Sequence, residues 1–370
     1  MDLVMSEEQE ELRAALRRFF ADKSSPAEVR RLMETAEGYD PAVWEQMAGQ
    51  LGLQGLAIPE EYGGAGFGMR EVAVVMEEMG RSLVCAPYLS SAVMAAGALL
   101  GCRDEEARRE FLPGIADGST LATLAWMDGD TWDLGSIEMQ AGRDGDGWLL
   151  DGAKTYVLDG HIAGLVLVAA WAEGELGLFA VDGDAQGLSR TPYTTLDQTR
   201  RLARLELTGV RARLIEPDAR PVLERAVDLA VVALAAEQLG GAQRTLDMTV
   251  DYLKVRHQFG RPIGSFQALK HRCADMFVMV ESARSAVLQA AAVAGDRPDE
   301  LPAAAALVKA YCSDAYFHVA AETIQLHGGI GFTWEHDAHL YFKRAKASQE
   351  LFGPPARHRE RLARLVGIAP

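Results

Sequence analysis

Lysine is scarce in this chain, with seven residues against thirty arginines in 370. Together these 37 basic side chains fall short of the 53 acidic ones, leaving a formal charge of −16. A nucleic-acid partner is not expected, because phosphate contacts need a basic surface. Anionic membrane surfaces are disfavoured for the same reason, although a local arginine cluster can still hold an anionic small molecule. Cysteine is sparse as well. Cys85, Cys102, Cys273 and Cys312 stand far apart with no CxxC pair, which points to reduced core thiols rather than a disulfide framework or a thiolate metal site.

No secretory leader is expected at the start, where residues 1–20 carry acids and no apolar core segment. The longest uncharged run, Leu83 to Leu100, is broken by Pro87, Ser90, Ser91 and Gly97. It reads as a buried helix rather than a membrane span, and the cytoplasm is the expected location. Internal repeats and low-complexity segments are lacking. The Gly-rich stretch from Ile58 to Gly66 lacks the GxGxxG order and a preceding strand, so it reads as a surface turn rather than a phosphate loop.

What is present divides into three textures. The length exceeds the ~250–300 residues at which one core stops growing, so two or three units are expected. Ser6-Glu7-Glu8-Gln9 opens a helix as a capping box, followed by Leu12, Leu16, Phe19 and Phe20 at helical spacing. Further helices are expected over 41–51, 70–80, 90–100 and 104–115. From Ser119 to Ile215 short apolar runs alternate with Asp146-Gly147, Asp151-Gly152 and Asp182-Gly183, the turn pairs of an antiparallel β region. After Pro221 the spacing predicts helices over 222–256, from near Phe266, over 302–326 and over 339–352, arranged as an antiparallel bundle. The second of these sets Phe266, Leu269, Cys273, Phe277, Val280 and Val287 on one stripe. The expected fold is mainly α with a β middle domain: helical 1–118, antiparallel β 119–216, and a four-helix bundle 217–370.

Two clusters carry chemistry. Arg256, Gln258 and Gln267 are donors beside the ring of Phe259 in a tight Gly/Pro corner between two helices. A guanidinium fork there suits a pyrophosphate, and a charged helix corner is the plainer alternative. The second cluster runs from Gln325 through Gly328, Gly329 and Gly331 to Phe332 just past a helix end. Its glycines allow close backbone approach to a ligand or simply stop the helix. His327, His336 and His339 have a spacing that fits no common metal site.

Together, Arg256-x-Gln258-Phe259-Gly260-x-x-Ile263-x-x-Phe266-Gln267 and Gln325-x-x-Gly328-Gly329-x-Gly331-Phe332 resemble the acyl-CoA dehydrogenase family, and the order of the three regions matches along nearly the whole chain. The resemblance implies FAD held across a subunit interface, an acyl-CoA substrate, and electron-transfer flavoprotein as the onward acceptor. It implies an FAD-binding role for Arg256, Gln258, Phe259, Ile263, Phe266, Gln325, Gly328 and Gly329, which belong to the half-site that a subunit lends to its neighbour.

The other half departs from the family pattern. Ala125 to Asp133 replaces the usual Thr-Glu-Pro to Gly-Ser-Asp stretch. Tyr156 stands where Trp is usual, and Leu158 where a Thr hydroxyl faces the flavin. A thioester Cα–H needs a positioned carboxylate, yet the family's two base positions align without gaps to Phe352 and Ala230, with Glu350 and Glu237 displaced from them. The chain is therefore similar to the short, base-lacking subunit of actinobacterial heteromeric acyl-CoA dehydrogenases, completing the site of a homologous partner. Alternatives are a homo-oligomeric dehydrogenase with an unusual base, and a flavin monooxygenase or structural homologue on the same scaffold.

Overall fold

The computed structural model describes residues 5–145 and 147–368. In chain order the helices are α1 (Glu7–Lys23), α2 (Pro26–Met33), α3 (Pro41–Leu51), α4 (Met69–Arg81), α5 (Ala96–Gly101) and α6 (Glu105–Ala116). Seven strands follow: β1 (Ala122–Ala125), β2 (Gln140–Asp144), β3 (Gly147–Leu158), β4 (Leu165–Ala172), β5 (Glu175–Asp182), β6 (Leu188–Pro192) and β7 (Leu202–Glu216). Then come α7 (Arg220–Val255), the short strands β8 (His257–Gln258) and β9 (Arg261–Pro262), α8 (Gln267–Asp296), α9 (Leu301–His327), α10 (Ala338–Glu350) and α11 (Pro355–Leu365). By contacts the chain forms two compact units. One gathers residues up to Arg31, Met69–Val84 and Val231 onward; the other gathers Leu32–Gly68 and Cys85–Ala230.

The second unit is built on the sheet. β5 pairs with both β4 and β7, and β2 with both β3 and β4, so the sheet closes on itself. Closure removes the unpaired edges that an open sheet leaves to other chains. Most pairings are antiparallel, as expected; β1 and β2 both lie parallel to β4. Inside, Trp148 meets Phe179 edge-on at 5.7 Å among Leu150, Val157, Val166 and Leu205.

Two details differ from the sequence reading. The runs around Trp148 and Thr155 are one strand, β3, and Asp151-Gly152 is a bulge in it rather than a turn. Gly152 takes φ +138, and the Asp151 carboxylate accepts from the Gly209 amide at 2.7 Å. An Asp-Gly pair serves a bulge as readily as a hairpin, since both need a positive φ. Of Asp146-Gly147, Gly147 pairs with Asp144 across the β2–β3 turn, and Asp146 lies outside the described residues. The uncharged run from Leu83 becomes helical only at Leu89, as one π-helical stretch to Ala95 and then α5.

The helical unit is organised by a close crossing of α4 and α7. A Cβ on Gly80 would lie 2.0 Å from the Glu237 carbonyl oxygen, and one on Gly240 would lie 1.8 Å from that of Glu77. At the same level Gly241 faces the ring of Tyr316 on α9. Buried polar pairs then fix the register of α7 in the bundle: Gln238 to Ser313 at 3.0 Å, Thr249 to Thr323 at 3.0 Å, and Glu237 to Arg344 on α10 at 2.6 Å. The N-terminus of α1 carries the expected capping box, with Ser6 Oγ accepting from the Gln9 amide and Gln9 Oε1 from that of Ser6. The stripe on α8 is buried only in its second half. Val280 and Val287 are covered while Phe277 is exposed, and Leu269 and Cys273 are half-buried. By length and composition alone, α8 is the one helix among the described residues that could cross a membrane.

A methyl group at the crossing has nowhere to go. Gly240→Ala should lower stability by about 1–3 kcal/mol, the usual cost of overpacking. Gly295→Ala, where nothing lies within 4 Å, should be neutral or slightly stabilising. Urea midpoints of the two variants test this; equal midpoints would contradict the crossing.

Candidate functional site

The two sequence clusters meet at one end of the bundle. Tyr252 near the end of α7 stacks on His327 at the end of α9, with centroids 4.4 Å apart, and His327 in turn meets His336 at 4.4 Å. His327 donates through Nδ1 to the Thr323 carbonyl at 2.7 Å, and burial holds its pKa below the ordinary value. The stack joins the Arg256 corner to the Gln325–Phe332 turn. No sequence signal marks it, because its partners lie on different helices.

The corner itself is a miniature hairpin. β8 pairs with β9, and the Ile263 amide donates to the Arg256 carbonyl at 2.8 Å. Gly264 fits because its Cβ would meet the Leu253 carbonyl at 2.9 Å. Phe259 sits at the tip with φ +53 and 91% of its surface exposed. Its ring meets Phe266 edge-on at 5.9 Å, and the Arg261 guanidinium lies over the Phe266 ring at 4.1 Å. Arg256 and Gln258 are exposed, and among the described residues Arg256 makes no ion pair. Ile263 and Phe266 are half-buried and form the base of the corner.

In the neighbouring turn Gln325 is exposed, and a Cβ at either Gly328 or Gly329 would meet nothing within 4 Å. Gly328 takes φ +63 with ψ −142, a conformation reserved for glycine. Phe332 is 85% exposed beside Trp334. A free guanidinium, an amide, open glycine backbone and uncovered rings therefore share one surface. That donor set fits a dinucleotide's phosphates and flat rings.

The barrel carries the half expected to face the flavin ring, and there its own aromatic side chains, Tyr156 still 38% exposed, pack on one another. Tyr156, with φ +50, stacks on Tyr193 at 5.1 Å and 25°. Trp132 lies 6.3 Å from Tyr156 and 5.8 Å from Trp126. Trp132 and Tyr193 escape sequence reasoning because they reach Tyr156 from distant loops. The Leu158 side chain is buried, and its carbonyl accepts from Thr123 Oγ1 at 2.6 Å. Lys154 is fully enclosed, bonded to the Asp128 carboxylate and to the Trp126 carbonyl at 3.2 Å, and burial lowers its pKa to about 8. These bonds tie the 126–133 segment to β3.

At the base positions the structure offers no free carboxylate. Phe352 is buried with φ +62, and its carbonyl accepts from His358 Nε2 at 3.0 Å. Ala230 has no exposed surface. Glu237 is engaged by Arg344 inside the bundle, with side chains 7% and 5% exposed, while Glu350 pairs with Lys346 at 2.6 Å on the outer face of α10. Among the described residues no three metal-ligating side chains group together.

Residues 6–119 match the profile of the acyl-CoA dehydrogenase N-terminal domain, and residues 221–367 that of the C-terminal domain. The acyl-CoA dehydrogenase IpdE2 of Mycolicibacterium smegmatis is 39% identical over 98% of this chain and 98% of its own length. Among solved structures, the Tcur3481-Tcur3483 steroid ACAD is 36% identical with a TM-score of 0.90, over 98% of both chains. The ChsE4-ChsE5 complex from Mycobacterium tuberculosis is 29% identical with a TM-score of 0.91, over 100% of both.

The His358 clamp on the Phe352 turn titrates. Burial pushes its pKa down to about 4, below the ~6.5 of an unfolded histidine. The folded protein therefore resists protonation, and its full contribution to stability is present above pH 6.5 and lost as pH falls from there to 4. Urea midpoints should drop across that window, and His358→Gln, which keeps an N–H for the Phe352 carbonyl, should flatten the slope.

Proposed function

The chain belongs to the acyl-CoA dehydrogenase family, and from that premise we propose that it acts in α,β-dehydrogenation of an acyl-CoA thioester as the subunit completing the FAD site of a homologous, base-bearing partner. Members of the family are FAD-dependent oxidoreductases. The observation that carries the reading is an asymmetry. The surface a subunit would lend to its neighbour is open and carries the family's residues, whereas the positions for its own flavin ring and base carry Tyr156, Leu158, Phe352 and Ala230, with Glu237 and Glu350 already paired. The likeness to two heteromeric assemblies supports a partner subunit, and the steroid ACAD among them supports a sterol-derived acyl group.

FAD, when bound, supplies the hydride acceptor for the reaction. Within this chain the Arg256 guanidinium would fork onto the pyrophosphate, with Gln258 beside it. Gln325 would donate a further hydrogen bond, and the bare backbone of Gly328 and Gly329 would permit close approach. Phe259, supported from below by Ile263 and Phe266, would exclude water from one side. The proton at Cα must go to a carboxylate of the partner, since Phe352 and Ala230 cannot accept one. Electron-transfer flavoprotein would be the onward acceptor. The chain's three regions would then act as helical (1–118), β (119–216) and bundle (217–370) domains.

Expressed alone, the chain should carry little flavin and show negligible turnover. Co-expressed with a longer homologue that retains the carboxylate, it should form a complex with one FAD per pair of unlike chains. In that complex Arg256→Ala should lose flavin while leaving assembly intact, since removing one partner of a buried charged contact costs about 2–5 kcal/mol. Phe352→Glu in the isolated chain should not restore activity, because Leu158 and the Tyr156–Tyr193 stack remain. Flavin content by absorbance and turnover with an artificial acceptor decide the matter. Stoichiometric FAD and rapid turnover in the isolated chain would defeat the proposal.

A further inference from the structure

We propose that a cavity of about 350 Å³ in the helical unit binds a small amphipathic carboxylate through the Arg244 guanidinium. The cavity is framed by the end of α1, the start of α2, the end of α4, the middle of α7 and the start of α10. Phe20, Val29, Leu83 and Leu340 supply its apolar floor. Its size is at the lower end of the range for ligand pockets, roughly 300–1,000 Å³.

The charges around the cavity cancel in pairs, with one exception. Arg17 bonds Glu78 at 2.5 Å, Arg81 bonds Asp247 at 2.8 Å, and Asp337 is taken by Arg30 at 2.9 Å. Arg244 makes no ion pair among the described residues, and the polar group beside it is the Tyr341 hydroxyl. That hydroxyl spends its proton on the Arg81 carbonyl at 2.7 Å, so its oxygen can only accept from Arg244. A guanidinium has five donors in a planar fork, and one phenol oxygen leaves most of them unused. A half-buried cation above an apolar floor matches one negative charge on a hydrocarbon body. A polyanion would bring more charge than the single surplus cation can offset.

A second observation points to the same place. The residue that ends α4 on this cavity is Leu83, with φ +48. Its amide and that of Val84 turn back onto the Gly80 and Met79 carbonyls, as in a helix C-cap where glycine is usual. A leucine there is strained, and what it adds over glycine is a side chain on the cavity floor. The inference rests on these residues alone and is independent of the flavin reading.

Calorimetric titration of the full-length chain with sodium octanoate, 1-octanol and sodium sulfate tests it. Octanoate should bind, octanol should bind roughly tenfold more weakly, and sulfate should not compete. Arg244→Met should erase the preference for octanoate over octanol, and Arg244→Lys should keep part of it. Leu83→Gly should weaken octanoate. No octanoate binding at millimolar concentration, equal affinity for octanol, competition by sulfate, or undiminished octanoate binding by Arg244→Met would each overturn the proposal. Should Arg244→Met fail to fold, the comparison of the three probes on the native chain still decides.

Discussion

The close approach of α4 and α7 is the constraint on which the helical unit depends. Glycines at Gly80 and Gly240 let two backbones touch, each at the other's carbonyl. With that distance set, Glu77 reaches Arg284 of α8 at 2.6 Å, and Glu237 reaches Arg344 of α10. A larger residue at either glycine would push the helices apart and break both pairs at once. Buried charges left without partners are far more costly than the pairs are stabilising. The crossing therefore holds the ion pairs, and these tie α8 and α10 to α4 and α7.

Along α7 the environment changes from apolar to polar. From Ala230 to Ala236 every residue is without exposed surface, so this stretch can only pack. Toward Val255 the helix emerges, and the corner beyond it carries an unpaired arginine on a molecule of net charge −16. In such a field an uncommitted guanidinium is a local exception, and anions are drawn to it over no more than about a Debye length, roughly 8 Å at physiological salt. Attraction of an anionic cofactor is thus a property of the corner rather than of the molecule as a whole.

Much of this was legible in the sequence, and the reasons are specific. The capping box at Ser6 and the helix stop at Gly328 are local devices, written in adjacent residues. The change of texture near Ser119 and again near Pro221 survives because periodicity is a property of whole segments. What was illegible is what depends on distant partners. The bulge at Gly152 looks like a turn until Asp151 finds Gly209. β2 is short, polar and largely exposed, so alternation never marks it. Phe277 follows the buried stripe in spacing, yet it is left uncovered by this chain. In the candidate site the individual residues could be named in advance. Their assembly could not, because the Tyr252–His327 contact and the Tyr156–Tyr193 stack join residues from separate elements.

The helical unit is also discontinuous in sequence: α1 and α4 come from the first 84 residues, while their bundle partners begin at Val231. During synthesis, at roughly 5–20 residues per second, some 160 residues separate the end of α4 from Gly240, a wait of about 8–30 s. Throughout that interval α4, buried from Val72 to Gly80 in the finished protein, has only α1 to pack against, through pairs such as Arg13–Glu77 and Arg17–Glu78, and lacks α7 and α8. A nascent chain in this state is a natural client for chaperones that hold apolar segments. A ribosome that stalls or stops before α7 releases two amphipathic helices without a core, so a nonsense change late in the gene would be felt at the N-terminus as well.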